Sequence, residues 1–224
     1  CSSMVELYLI RHAEAMGNVK EFFQGSLDVE ISSKGFKQLE ELKSRVKDVS
    51  LDAIYSSPLK RAVQTAQAIN EYHGLNIGIV DNIKEINGGD FEGKTWKDIP
   101  KEYPQQYECW VKNQIDFKAP NGETMQDVYN RMVSAMNGIV TDSLNLNRDV
   151  SIAVVSHGCA INNYQCYLNH ADISYMSKIG WADNTSVSKV EFKTLSDWKV
   201  IYLNDSSHLS QENSTIRYSN WCKA

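Results

Sequence analysis

Val5, Leu7, Leu9 and Ile10 form an apolar, partly β-branched run that is too short for a helix, and it predicts a buried strand. The run stops on Arg11-His12. Glu14 to Phe23 reads as a short helix or an ordered loop, and Gln24 to Asp28 as a turn. Ser32-Ser33-Lys34-Gly35 predicts the start of a helix to about Asp48, with Phe36, Leu39, Leu42 and Val46 on one buried face. Leu51 to Tyr55 predicts a second strand. Ser57 as N-cap and Pro58 at the first position then open a helix through Ala62, Ala66 and Ile69 to Tyr72, closed by Gly74. Leu75 to Val80 predicts a third strand.

Lys84 to Gly93, with Gly88-Gly89 inside it, reads as an irregular loop. Trp96 to Phe117 reads as short helices crossing a sheet face with Tyr103, Tyr107, Trp110 and Ile115. Pro120-Asn121-Gly122 is a turn, and Thr124 to Leu144 a long helix with Val128, Met132, Ala135, Met136 and Ile139 inward. Val150 to Ser156 predicts a strand ended by His157-Gly158, followed by a helix over Ala160 to Leu168. Val187 to Phe192 and Trp198 to Leu203 predict a hairpin. The Ser/Asn-rich tail from about Asn204 predicts little order. Strands alternating with helices predict an α/β three-layer sandwich with a mostly parallel central sheet flanked by helices. No repeat, linker or low-complexity block divides residues 1–224, so one domain is expected.

Composition narrows the function. A formal net charge of −5 offers no basic stripe for nucleic acid. No apolar run approaches the ~20 residues that span a bilayer. The five cysteines, Cys1, Cys109, Cys159, Cys166 and Cys222, show no C-x-x-C spacing, so reduced thiols in a cytoplasmic protein are the expectation. The first strand begins too near the N-terminus for an uncleaved signal peptide to precede it. Met4 reads as the natural start, with Cys1-Ser2-Ser3 as added residues; a lipid-modified Cys1 is the alternative. A monomer or homodimer is expected.

The chemistry gathers at strand ends and helix starts: Arg11, His12, Arg61, Glu85 and His157. Open α/β sheets bind ligands at the carboxyl ends of their strands. Two arginines offer planar forks to phosphate oxygens. A neutral imidazole can attack phosphorus, and a second, if protonated, can stabilise the transferring group. Backbone N–H groups after Ser156-His157-Gly158 add anion donors. Phosphoryl transfer needs mainly positioning and charge stabilisation, so this set suffices without metal or cofactor. A carboxylic acid near the leaving oxygen completes it. His12 and Glu14 lack a third and fourth metal ligand at suitable spacing. His73, His170 and His208 read as surface histidines.

These residues resemble the histidine phosphatase superfamily, the phosphoglycerate mutase-like proteins. Leu9-Ile10-Arg11-His12-Ala13-Glu14 with Asn18 is similar to the R-H-G-E signature, with Ala13 replacing the usual glycine. The resemblance implies that Arg11 binds phosphate, His12 is phosphorylated and Asn18 reaches the phosphate. Ser57-Pro58-Leu59-Lys60-Arg61-Ala62-Val63-Gln64-Thr65-Ala66 resembles the stretch that carries the second arginine, here Arg61. Glu85, ahead of Phe91-Glu92-Gly93, matches the family's acid, with Asp90 and Glu92 as charged neighbours; Ser156-His157-Gly158 matches the distal histidine. The motifs keep the family's order from Val5 to about Val190.

The resemblance leaves three functions. They are a phosphatase acting on a small phosphorylated metabolite, a phosphoglycerate mutase, and a non-catalytic phospholigand module. The module is disfavoured because nucleophile and acid are both present. The family's mutases carry a longer insertion between the acid and the G-E-[ST] motif, here Gly122-Glu123-Thr124. They also usually have an R-H-Y-G-like stretch, where this chain reads Lys84-Glu85-Ile86-Asn87-Gly88. A short connection leaves the site open to water, which favours hydrolysis.

Overall fold

The structure is a computed structural model and describes residues 3–180 and 182–216. The readings of Cys1, of Cys222 and of the tail beyond residue 216 lie outside the described residues. One six-stranded sheet organises the chain: β1 (Val5–Arg11), β2 (Ala53–Ser56), β3 (Ile77–Ile79), β4 (Val150–Ser156), β5 (Val187–Thr194) and β6 (Asp197–Asp205). The order is β3-β2-β4-β1-β5-β6. The β3–β2, β2–β4 and β4–β1 pairings are parallel, and β5 and β6 close the sheet antiparallel, so it is mostly parallel as expected.

Helices cover both faces. Leu7 and Leu9 of β1, with Ile152 and Val154 of β4, pack with α6 (Met125–Leu144) and α7 (Gly158–Leu168). Ile10, Ala153 and Val155 point the other way, toward α2 (Ser33–Val46) and α3 (Lys60–Asn70). Burial on both faces is why β1 and β4 read as nearly continuous apolar runs. The register pairs Arg11 with Ser156 and Tyr55 with Val154. The carboxyl ends of β1, β4 and β2 therefore lie side by side.

Three expectations need correction. Phe36 is 52% exposed, and α2 buries Gly35, Gln38, Leu39, Leu42 and Val46 instead. Its inward face presses on the backbone of the R-H-A-E loop: a Cβ on Gly35 would lie 2.2 Å from the Glu14 carbonyl oxygen. Ser32 Oγ caps the helix by accepting from Gly35 N at 3.0 Å, and Gln38 Oε1 accepts from Glu14 N at 2.8 Å. The second correction is at α3, which begins at Lys60 with Leu59 as N-cap, so Ser57 and Pro58 stand before it. The third is the tail, where residues 206–216 are tied down. Ser210 N donates to Glu41 at 2.9 Å, Asn213 Nδ2 to Glu41 at 2.6 Å and Ser214 Oγ to Asp183 at 2.5 Å. Polar composition hid that order, because these contacts are hydrogen bonds rather than apolar burial.

Candidate active site

His12 and His157 end adjacent parallel strands, and their ring centroids are 5.0 Å apart. His12 N donates to Ser156 O at 3.1 Å, which locks the two strand ends together. His12 Nδ1 lies 2.6 Å from the Ala13 carbonyl. A carbonyl only accepts, so Nδ1 carries the proton and Nε2 keeps its lone pair. Burial, then the Arg61 and Arg11 charges, hold the His12 pKa well below 6.5, so the ring is neutral at neutral pH. Ala13 does not have positive φ, which explains why alanine serves where the family usually has glycine. Its N–H donates to Thr65 Oγ1 at 3.1 Å, and Thr65 in turn donates to Arg61 O at 2.8 Å.

Arg61 is 1% exposed. Its Nη1 donates to Leu27 O and its Nη2 to Gly25 O, both at 2.6 Å, which fixes the loop facing His12. Burial lowers its pKa to about 10, so it stays charged at neutral pH. Arg11 is held through Nη1 to Ala182 O. Gly158 lets α7 approach it: a Cβ there would lie 3.1 Å from Arg11 Nε. Asn18 Oδ1 accepts from Ala15 N at 3.1 Å at the start of α1 (Met16–Lys20), and the residue lines the pocket.

Glu85 reaches the same pocket from its loop. Its carboxylate accepts from Cys159 N and Ala160 N, each at 3.0 Å, at the N-terminal turn of α7. The two neighbouring acids are elsewhere. Glu92 Oε1 accepts from Ser26 and Gly88, and Asp90 from the Asn121 amide. Arg11, His12, Asn18, Arg61, Glu85 and Gly158 thus line one pocket of about 100 Å³. Behind it His157, fully buried, has Nε2 2.8 Å from Ser57 Oγ. Burial, then Arg61, His12 and Arg11, push its pKa well below 6.5. In this state it is neutral, so it can stabilise the transferring group as a cation only after gaining a proton. Cys159 also lines the pocket, but burial and Glu85 raise its thiol well above 9.0, so it is no rival nucleophile.

Sequence reasoning missed two supports. Arg131 on α6 forks onto Glu123, Nε to Oε2 at 2.9 Å and Nη2 to Oε1 at 3.0 Å, and also donates to the carbonyls of Asn82, Lys84 and Glu85. It pins the loop that carries Glu85. Arg131→Ala is expected to lower stability by about 1.5–3 kcal/mol, the range for charged hydrogen bonds, and to cut kcat more than it raises KM. Denaturant melts and steady-state kinetics check this. An unchanged kcat would detach Arg131 from the acid's placement.

The second support is Asp183-Asn184-Thr185. Asn184 Nδ2 donates to His12 O at 3.1 Å and Thr185 N to Arg11 O at 3.0 Å. Thr185 has φ +62, a strained setting for a β-branched residue. His208 holds it there, with Nε2 3.0 Å from Thr185 Oγ1 while Nδ1 accepts from Arg45 Nη1 at 3.0 Å. His208 is therefore not the surface histidine expected; burial and Arg45 lower its pKa to about 4. No local motif marked these residues, since each acts across more than 20 positions of sequence.

Among the described residues no three His, Cys, Asp or Glu side chains gather as a metal would require. No described helix is long and apolar enough to cross a membrane.

The family model for the histidine phosphatase superfamily (branch 1) matches residues 7–206. The chain belongs to that superfamily. Among its histidine phosphatase relatives, it is 32% identical over 208 residues to phosphoserine phosphatase 1 of Hydrogenobacter thermophilus, covering 93% of this chain and 96% of that protein. It is also 32% identical to the uncharacterized phosphatase PhoE of Bacillus subtilis, covering 92% and 98%. Among solved structures, Bacillus stearothermophilus YhfR superposes with a TM-score of 0.84 at 27% identity, covering 91% of this chain and 98% of that one.

Proposed function

We propose that this histidine phosphatase transfers the phosphoryl group of a small phosphomonoester to His12 Nε2 and then to water. The observation that carries the proposal is the His12 Nδ1 contact with Ala13 O at 2.6 Å, which leaves Nε2 as the nucleophilic nitrogen in a pocket shared with Arg11, Arg61 and Glu85. The two guanidiniums take the non-bridging oxygens. As the Nε2–P bond forms and the P–O ester bond breaks, Glu85 gives its proton to the departing alkoxide. Its carboxylate then takes a proton from water. The resulting hydroxide attacks phosphorus, the P–N bond breaks, and phosphate leaves with His12 neutral again. His157, neutral beside two arginines, gains a proton more readily once a phosphoryl dianion lies next to it, and then shares the transition-state charge.

Relatives of comparable length that carry phosphatase names support hydrolysis over isomerisation. Phosphoserine, named for one relative, belongs on the substrate panel. Free thiols at Cys109, Cys159 and Cys166 suit a reducing compartment such as the cytoplasm. The test is phosphate release across a panel of phosphorylated metabolites, with isomerisation of 3-phosphoglycerate assayed in parallel. Release without isomerisation is expected. Isomerisation without net release would replace hydrolase by mutase. Because the arginines supply the positive charge, turnover is expected to survive exhaustive treatment with EDTA. Complete loss, restored by one divalent ion, would overturn the metal-free mechanism.

A further inference from the structure

The phosphate pocket does not end at its aromatic wall. Trp96 and Trp110, ring centroids 5.9 Å apart, line both it and a wider groove of about 640 Å³. The inner pocket, about 100 Å³, is the smaller of the two. The groove falls within the ~300–1,000 Å³ typical of small-molecule sites. Tyr107, Ile115 and Met176 continue its apolar wall.

On the groove's lining stands Asn162, only 7% exposed. Its Oδ1 is buried without a hydrogen-bond partner, and no bond to its side chain occurs among the described residues. Buried carboxamides in folded proteins are ordinarily paired, so an unpaired one beside an open groove is a binding group in waiting. Its place in the fold gives a ruler. Asn162 follows Gly158 by four residues on α7, so it lies on the same helix face about 6 Å farther along the axis. One face of one helix thus offers its first turn to the phosphoryl group and its second to whatever extends beyond it.

Charge narrows what that is. The cationic residue of the groove, Lys112, is bonded to Glu108 at 2.9 Å. The inner pocket adds Arg11 and Arg61, which face the phosphoryl group, and two acids, Glu21 and Glu85. A carboxylate in the groove would meet aromatic faces and a lysine already paired with Glu108. A flat uncharged ring with donor and acceptor on its edge would meet aromatic faces and a carboxamide, which offers one of each.

We propose that the groove binds the alcohol portion of the substrate, and that this portion is a heteroaromatic base on a short spacer, lying against Trp96 and Trp110 with its polar edge on Asn162. The proposal rests on the phosphatase reading for turnover but not for binding, and the test separates the two. Full-length His12→Ala protein is titrated calorimetrically with purine and pyrimidine nucleoside 5′-monophosphates, ribose 5-phosphate and phosphoserine. Wild-type kcat/KM is measured on the same compounds. At least one nucleotide is expected to bind 10-fold or more tightly than ribose 5-phosphate, which has the same ester and no base, with phosphoserine weakest. Asn162→Ala and, as a gentler change, Asn162→Ser should each shrink that preference several-fold through KM, as should Trp110→Ala. Equal affinity for nucleotide and ribose 5-phosphate, or a preference untouched in every folded variant, would overturn the proposal. Preferential nucleotide binding with no turnover of any ester would leave it standing and overturn the hydrolase reading instead.

Discussion

His12→Ala is expected to lower turnover by roughly 10⁴–10⁶-fold, the scale seen when a covalent nucleophile is removed. Alanine leaves the arginines and Glu85 in place, so substrate should still bind. What is lost is the Nε2 lone pair, which no other side chain of the pocket supplies: the Cys159 thiol is held protonated by its burial and by Glu85. Wild-type protein quenched in alkali during turnover should carry phosphate on His12 that acid removes, and the variant should carry none. The pH profile adds an independent readout. Burial, Arg61 and Arg11 depress the His12 pKa, and only the neutral ring attacks. The acid limb of kcat/KM that belongs to His12 should therefore fall well below 6.5, with activity rising as pH climbs through it. Substantial turnover by folded His12→Ala, checked by thermal melting, would remove the residue from its role.

The parts of this site that were legible in the sequence share a physical cause. β1 and β4 are buried on both faces, so each is an apolar run that ends abruptly on candidate site residues, Arg11-His12 and His157. Arg61 and Glu85 were legible through short motifs kept in family order, and the structure brings both to the pocket. Illegible were contacts made by backbone or across distance. Periodicity put Phe36 inward, but the first turn of α2 faces the Glu14 backbone, where only Gly35 fits. Ser57 reads as a helix cap, yet its hydroxyl lies 2.8 Å from His157 Nε2 and, among the described residues, otherwise accepts only from Leu59 N, ahead of the helix. Asn184, Thr185 and His208 hold the carbonyl side of Arg11-His12 through hydrogen bonds, and no hydrophobic pattern records a hydrogen bond. Asn162 sits in a helix whose residues are nearly all buried, so an unpaired amide there has no signature until its neighbours are placed.

Glu85→Gln is expected to separate two classes of substrate. The residue lies in the pocket with the nucleophile, and two N–H groups of the α7 N-terminus aim its carboxylate. Glutamine keeps the shape and can accept from one of those two N–H groups through its single oxygen, but it cannot deliver a proton. Alkyl phosphates leave as strongly basic alkoxides, so they should lose about 10²–10⁴-fold in kcat, the usual worth of general acid catalysis. Nitrophenyl phosphate leaves as a stable phenolate and should lose far less in the phosphorylation step. In the proposed mechanism water attack on phosphohistidine uses the same carboxylate as base, so the variant should then accumulate phosphorylated His12 with the aryl ester, visible as a burst of nitrophenol. Equal losses on both substrates with no burst would assign Glu85 to structure or binding. The same selective loss in Asp90→Asn or Glu92→Gln would move the acid to that residue, against their placement at Asn121 and at Ser26. The leaving-group dependence thus tests the chemistry, and the choice among three nearby carboxylates tests the geometry.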